Sequence, residues 1–156
     1  MKIRTDYVTN SSSSSFILGF KDEDSIYNEL VSGFPNWAIG QIGTVMEDIN
    51  AAEKFNKDEL IKKLKDELYW EARWDVGDLY ERRMKCSFSD SIDYINSEEG
   101  KVEVEKYLDK TIRDIVEDTE GKTIFVEVEY DDHCNSDLEH HIMPNVDCTI
   151  KIISHH

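Results

Sequence analysis

The apolar positions of this chain repeat with one period at its ends and another in its middle. Phe16-Ile17-Leu18-Gly19-Phe20 is an unbroken apolar run of strand length. From there the spacing lengthens to that of a helix. Ile26, Tyr27, Leu30 and Val31 share a face, Asp22 or Asp24 can cap it, and Gly33 can stop it. Trp37, Ile39, Ile42, Val45, Met46 and Ile49 continue in helical period, weakened by Gly40 and Gly43. Asn56 with Glu59 resembles a capping box, opening the longest helix along Leu60, Ile61, Leu64, Leu68 and Ala72, with a break or bend expected at Gly77. Val104, Leu108, Ile112 and Ile115 predict a third helix over 102–116.

After Gly121 the period drops to two. Ile124, Val126, Val128 and Tyr130 alternate with Phe125, Glu127, Glu129 and Asp131, and Val146, Cys148, Ile150 and Ile152 repeat the pattern. The two strands are expected to pair antiparallel as a hairpin around a loop from Asp132 to Asn145, with Pro144 helping to end the loop. The whole reads as α+β: a serine-rich segment over 1–15, then a single compact domain over 16–156. In that domain a small, mainly antiparallel sheet, made of the first strand and the C-terminal hairpin, is covered by helices. No internal repeat and no domain boundary stands out.

Composition narrows the class. Thirty-four acidic against 18 basic residues leave a net charge of -16. That charge argues against direct nucleic-acid binding, which needs Lys and Arg to displace phosphate counterions. It favours docking onto a basic partner protein, a nucleic-acid-binding groove included, in the manner of a nucleic-acid mimic or an inhibitor of a host system. Cys86, Cys134 and Cys148 have no paired spacing and suit a reducing compartment. With no signal-peptide run and no stretch long enough to cross a bilayer, the expected location is the cytoplasm.

The chemistry gathers near the C-terminus. Six carboxylates and no Lys or Arg lie between Glu127 and Glu139, and all five histidines lie from His133 onward. Carboxylates with imidazoles suit a divalent transition metal such as Zn, Mn or Fe. The candidate ligands are His133, Glu139, His140 and His141, drawn from a loop that also holds Asp131, Asp132, Cys134 and Asp137. The opposing expectation is a solvated acidic loop. In a hairpin, His155 and His156 would sit about 25 Å from His140, at roughly 3.3 Å per residue, so one site could not use both groups. The motifs for dinucleotide binding, phosphate loops and serine hydrolases are absent. Trp70 and Trp74, four apart, predict a core or partner-helix contact.

Ser11 to Ser15 form a run that leads straight into the first strand. Lys2-Ile3-Arg4-Thr5-Asp6-Tyr7-Val8-Thr9-Asn10, these serines, Phe16 and Ile17 together resemble the opening of a set of Firmicute and phage proteins that share a K-I-R-x-D-[FY]-V-T-N-S-S-S-S-S-F start. Similar proteins tend to finish with an acidic Glu-His step and Ile-Ser-His-His, here Glu139-His140 and Ile153-Ser154-His155-His156. The resemblance implies bacterial or mobile-element origin and carries no activity. If the first strand lies antiparallel to the last, Ser11, Ser12 and Ser13 fall beside His155 and His156, forming a partner-binding or modification surface. The charge favours a non-catalytic acidic protein that binds a basic partner; the alternative is a metal-binding module or metal-dependent hydrolase built on the C-terminal loop.

Overall fold

The computed structural model describes residues 13–155. The chain is α+β, and its residues cluster into two compact units: one runs up to Lys57 and resumes at Thr119, the other spans Asp58–Asp118. No pattern in the sequence marked that division.

The first unit is built on a four-stranded sheet. Its strands are β1 (Ser13–Phe20), β2 (Lys54–Phe55), β3 (Ile124–Asp131) and β4 (Thr149–His155), in the order β2-β3-β1-β4. Every paired neighbour is antiparallel. Two helices, α1 (Ile26–Gly33) and α2 (Ile42–Ala51), complete it. Phe16, Leu18 and Phe20 point from one face of β1 into a core shared with Leu30 and Ile49 of these helices and with Val126, Val128 and Tyr130 of β3. Each of the three is fully buried, a gain of about 1.5–3 kcal/mol per side chain. Lys54 donates from Nζ to the carbonyls of Ile49, Asn50 and Ala52, placing a cation on the open C-terminal end of α2.

The predicted C-terminal hairpin does not form. β1 lies between β3 and β4, which are therefore parallel to each other and joined by a crossover from Asp132 to Cys148. Local alternation gives a strand its faces but not its partner, and the first strand proved the better fit between the other two. The expected antiparallel pairing of first and last strands is present: Ser13 faces His155, Ser14 faces Ser154 and Ser15 faces Ile153. Ser13 also faces Asp131 on the other side. The backbones of Asp131 and His155 thus stand two strand spacings apart, about 10 Å, at one end of the sheet. The 25 Å separation expected of a hairpin is overturned at its premise. A register shift between Ile17 and Leu18 leaves Ile150 unopposed, and beyond it Thr149, expected to face solvent, is buried.

The second unit is three helices: α3 (Lys57–Met84), α4 (Phe88–Asn96) and α5 (Glu98–Glu117). Leu60, Leu64, Leu68, Ala72 and Val76 recur every four residues as the buried line of α3. The helix runs straight through Gly77, where Ile95 of α4 approaches, and ends at Met84 before Lys85 with φ 51°. Gly77 is no stop, and a Cβ there would meet Ile95 at an ordinary contact distance. The sequence reading did not place α4, although Ser87 and Asp90 form a full capping box at its start. Ser97 alone joins α4 to α5, closing one helix and capping the next. Trp70 and Trp74 are exposed, which excludes the core contact among the two expectations, core or partner helix. Arg73 lies over the Trp70 ring, and Trp74 stacks on Phe88. No helix among the described residues is long and apolar enough to cross a membrane.

Candidate metal centre

The crossover begins with a tight turn. Asp131 ends β3, and its Oδ1 accepts from the backbone N–H groups of His133 and Cys134 at 2.9 and 2.8 Å. This Asx-type turn swings the chain off the sheet and brings Asp132 against His140. The next element is a π-helix, Leu138–Ile142, succeeded by a 3₁₀ turn, Met143–Asn145. Single π turns are frequent at functional sites, because the widened turn re-aims consecutive side chains. Leu138, Ile142 and Met143 anchor this turn in the core of the sheet unit. Glu139 sits between them in sequence and is 0 % exposed.

A wholly buried carboxylate needs donors or a cation, since desolvation of the charge is otherwise prohibitive. Two sources meet Glu139. Ser14 of β1 donates its hydroxyl to Glu139 Oε1 at 2.8 Å. On the other side, His140 Nε2 lies 3.3 Å from Glu139 Oε2 and touches Asp132 Oδ1. One donor atom each from Asp132, Glu139 and His140 lies within 4.8 Å of the others. Donors bonded at about 2.0–2.2 Å to one tetrahedral ion stand about 3.3–3.6 Å apart, and the His140–Glu139 distance of 3.3 Å falls there. His140 and Asp132 retain some exposure, 17 % and 22 %, whereas Glu139 closes the inner side. An open cleft of about 510 Å³ borders His140, with Trp37, Gln41 and His141 among its walls.

The sheet end beside this cluster is polar on its core face. Tyr130, which faces Ser14 across the β1–β3 ladder, donates to Asp48 Oδ2 of α2 at 2.8 Å. Burial first, and then the hydrogen bond to Asp48, hold the Tyr130 hydroxyl far above the usual tyrosine range.

Of the four ligands expected from sequence, Glu139 and His140 come together, with Asp132 as the third group. His133 and His141 do not join them. Both are exposed; the first lies in the Asx-type turn and the second packs edge-on to His140 at 6.3 Å between ring centres. His140 and His141 are consecutive in the π turn, and His140 alone is brought to the cluster. Cys134 is exposed and Cys148 is buried. Ser13 and His155 pair as expected, while Ser11, Ser12 and His156 lie outside the described residues. What the sequence reading missed is Ser14. The surface expected of the serine run covers Ser11, Ser12 and Ser13; Ser14 and Ser15, the next two residues, are buried. Even residues of β1 share the core face, so Ser14 could have been placed inward with Phe16 and Leu18. No family model, curated protein or solved structure matches this chain.

Proposed function

We propose that the sheet unit is a divalent-metal-binding module, holding a Zn, Mn or Fe ion through Asp132, Glu139 and His140. The observation that carries this reading is the convergence of one imidazole and two carboxylates within 4.8 Å, one of the carboxylates fully buried. Three protein ligands leave at least one coordination position for water, the pattern of metal sites that do chemistry rather than brace a fold. The bordering cleft reaches the cluster at His140. A metal held by Asp132, Glu139 and His140 would supply an activated water, the chemistry of a hydrolase.

Isothermal titration of metal-free protein with Zn²⁺ and with Mn²⁺ tests the reading. One equivalent should bind. Glu139→Gln or His140→Ala should abolish binding, and His133→Ala and His141→Ala should leave it within a few-fold. Absence of binding at millimolar metal, or unchanged binding in Glu139→Gln, overturns it.

A second reading concerns partners, and it rests on different residues. The net charge of -16 and the exposed Trp70, Trp74, Phe88 and Met84 of the helical unit favour contact with a basic protein. A partner bound this way should associate much more slowly at 0.5 M than at 0.05 M salt. A rate constant indifferent to salt would remove the charge from the account.

A further inference from the structure

The serine run has no role in the three-ligand centre, yet one of its members reaches it. We propose that Ser14 is a positioning residue for the metal site, acting through Glu139; the inference rests on the metal reading above. Ser14 is held from both sides, facing Tyr130 of β3 and Ser154 of β4. Its backbone cannot slide without breaking two ladders. A hydroxyl fixed in that way donates to Glu139 Oε1 at 2.8 Å with both groups fully buried. One carboxylate oxygen is thereby fixed by a hydrogen bond, and the other, Oε2, is presented on the side of His140 Nε2, 3.3 Å away. A carboxylate oriented in this manner ligates through a single oxygen, and such outer partners tune affinity by fixing the ligand's direction.

The neighbouring serine provides the contrast. Ser15 is equally buried but points to the opposite face, where its Oγ lies 3.5 Å from Glu129 Oε2. Two serines side by side in one strand therefore differ in a single respect that matters here: which carboxylate they address. The embedded part of the run is a support for the crossover, which is tied to β1 through Ser14–Glu139 and closed on itself through Asp132–His140.

The test is the Zn²⁺ affinity and the visible Co²⁺ spectrum of Ser14→Ala and Ser15→Ala. Ser14→Ala should weaken Zn²⁺ binding by about 10–100-fold and shift the Co²⁺ bands, because the ligand geometry changes. Ser15→Ala should alter neither. Ser14→Thr and Ser14→Val are nearly matched in shape and differ in the hydroxyl, so they separate the donor from the fold if Ser14→Ala is unstable. Thr should bind like the parent and Val like the alanine variant. Parental affinity and spectrum in folded Ser14→Ala or Ser14→Val overturns the role of Ser14 while the metal site stands. Equal losses in Ser14→Ala and Ser15→Ala overturn it in favour of a general effect on β1. If the parent protein takes up neither Zn²⁺ nor Co²⁺, the metal reading itself has failed.

Discussion

The sheet unit buries Ser14, Ser15, Thr119, Glu139 and Thr149, while the helical unit buries one polar side chain, Ser91. Ser91 satisfies itself by donating to the Phe88 carbonyl of its own helix. Exposed apolar groups have the reverse distribution: Trp70, Trp74, Leu79, Met84, Phe88 and Val102 lie on the helical unit, against Tyr27, Trp37 and Ile39 on the sheet unit. A buried polar side chain must find a specific partner or destabilise the fold, so the polar contacts of the sheet unit constrain geometry. Those of the helical unit, such as Arg82–Asp78 at 2.7 Å with both side chains mostly exposed, are worth little individually. One unit is built to hold groups in fixed relation. The other offers a surface.

The comparison can be tested from its strongest point downward. Phe16→Ala should destabilise the sheet unit by about 3–5 kcal/mol, seen as a lower midpoint in urea unfolding, because Phe16 is fully buried beside Tyr130 at 6.1 Å between ring centres. A loss below about 1 kcal/mol would mean that β1 is not the centre of the sheet. In the helical unit, Gly100→Ala should cost about 1–3 kcal/mol. A Cβ there would stand 1.9 Å from the Tyr94 carbonyl oxygen, which is backbone and cannot step aside.

The alkaline limb comes next. An unfolded tyrosine ionises near 10, whereas Tyr130 in the fold is held neutral far above that, and Tyr107 is pushed up to about 12 by burial and then by Asp75. The unfolded state therefore loses protons first. The stabilisation is whole below pH 10 and falls by up to about 1.4 kcal/mol per pH unit above it for each such group. Tyr130→Phe should flatten the fall in stability between pH 10 and 12, and an unchanged slope would place that hydroxyl in water. The smallest effect has the opposite sign. Gly77→Ala should stabilise by up to about 1 kcal/mol, since its Cβ would meet Ile95 at an ordinary 3.7 Å.

Much of this fold was legible because its signals are local. The alternation at Ile124–Tyr130, the i, i+4 line of α3 and the apolar run at Phe16 each gave the right element type. Partner choice is not local, and there the reading failed. Nothing in residues 146–153 says that the adjacent strand is β1 rather than β3. That one error separated the serine run from the His-rich loop, although Ser14 and Glu139 are in contact. The helix α4 was missed although both its signals are local: the Ser87–Asp90 cap and the helical spacing of Phe88, Ile92 and Ile95. For the candidate cluster, residue types sufficed to point to Glu139 and His140, which the fold brings together. The exclusion of His133 and His141 needed the Asx-type turn and the π-helix, which alternation cannot anticipate.

The central place of β1 also sets an order of events during synthesis. Phe16 pairs with Val128 and Ile152, residues more than a hundred positions downstream. At roughly 5–20 residues per second, the ribosome needs on the order of 5–20 s to supply the first of these partners. Through that interval an apolar strand has emerged with neither neighbour. The helices of Asp58–Asp118 emerge in the meantime and can close their own short-range contacts. The earliest of the strands is thus the last to be enclosed, and in the growing chain that interval is its exposure to aggregation or to a chaperone.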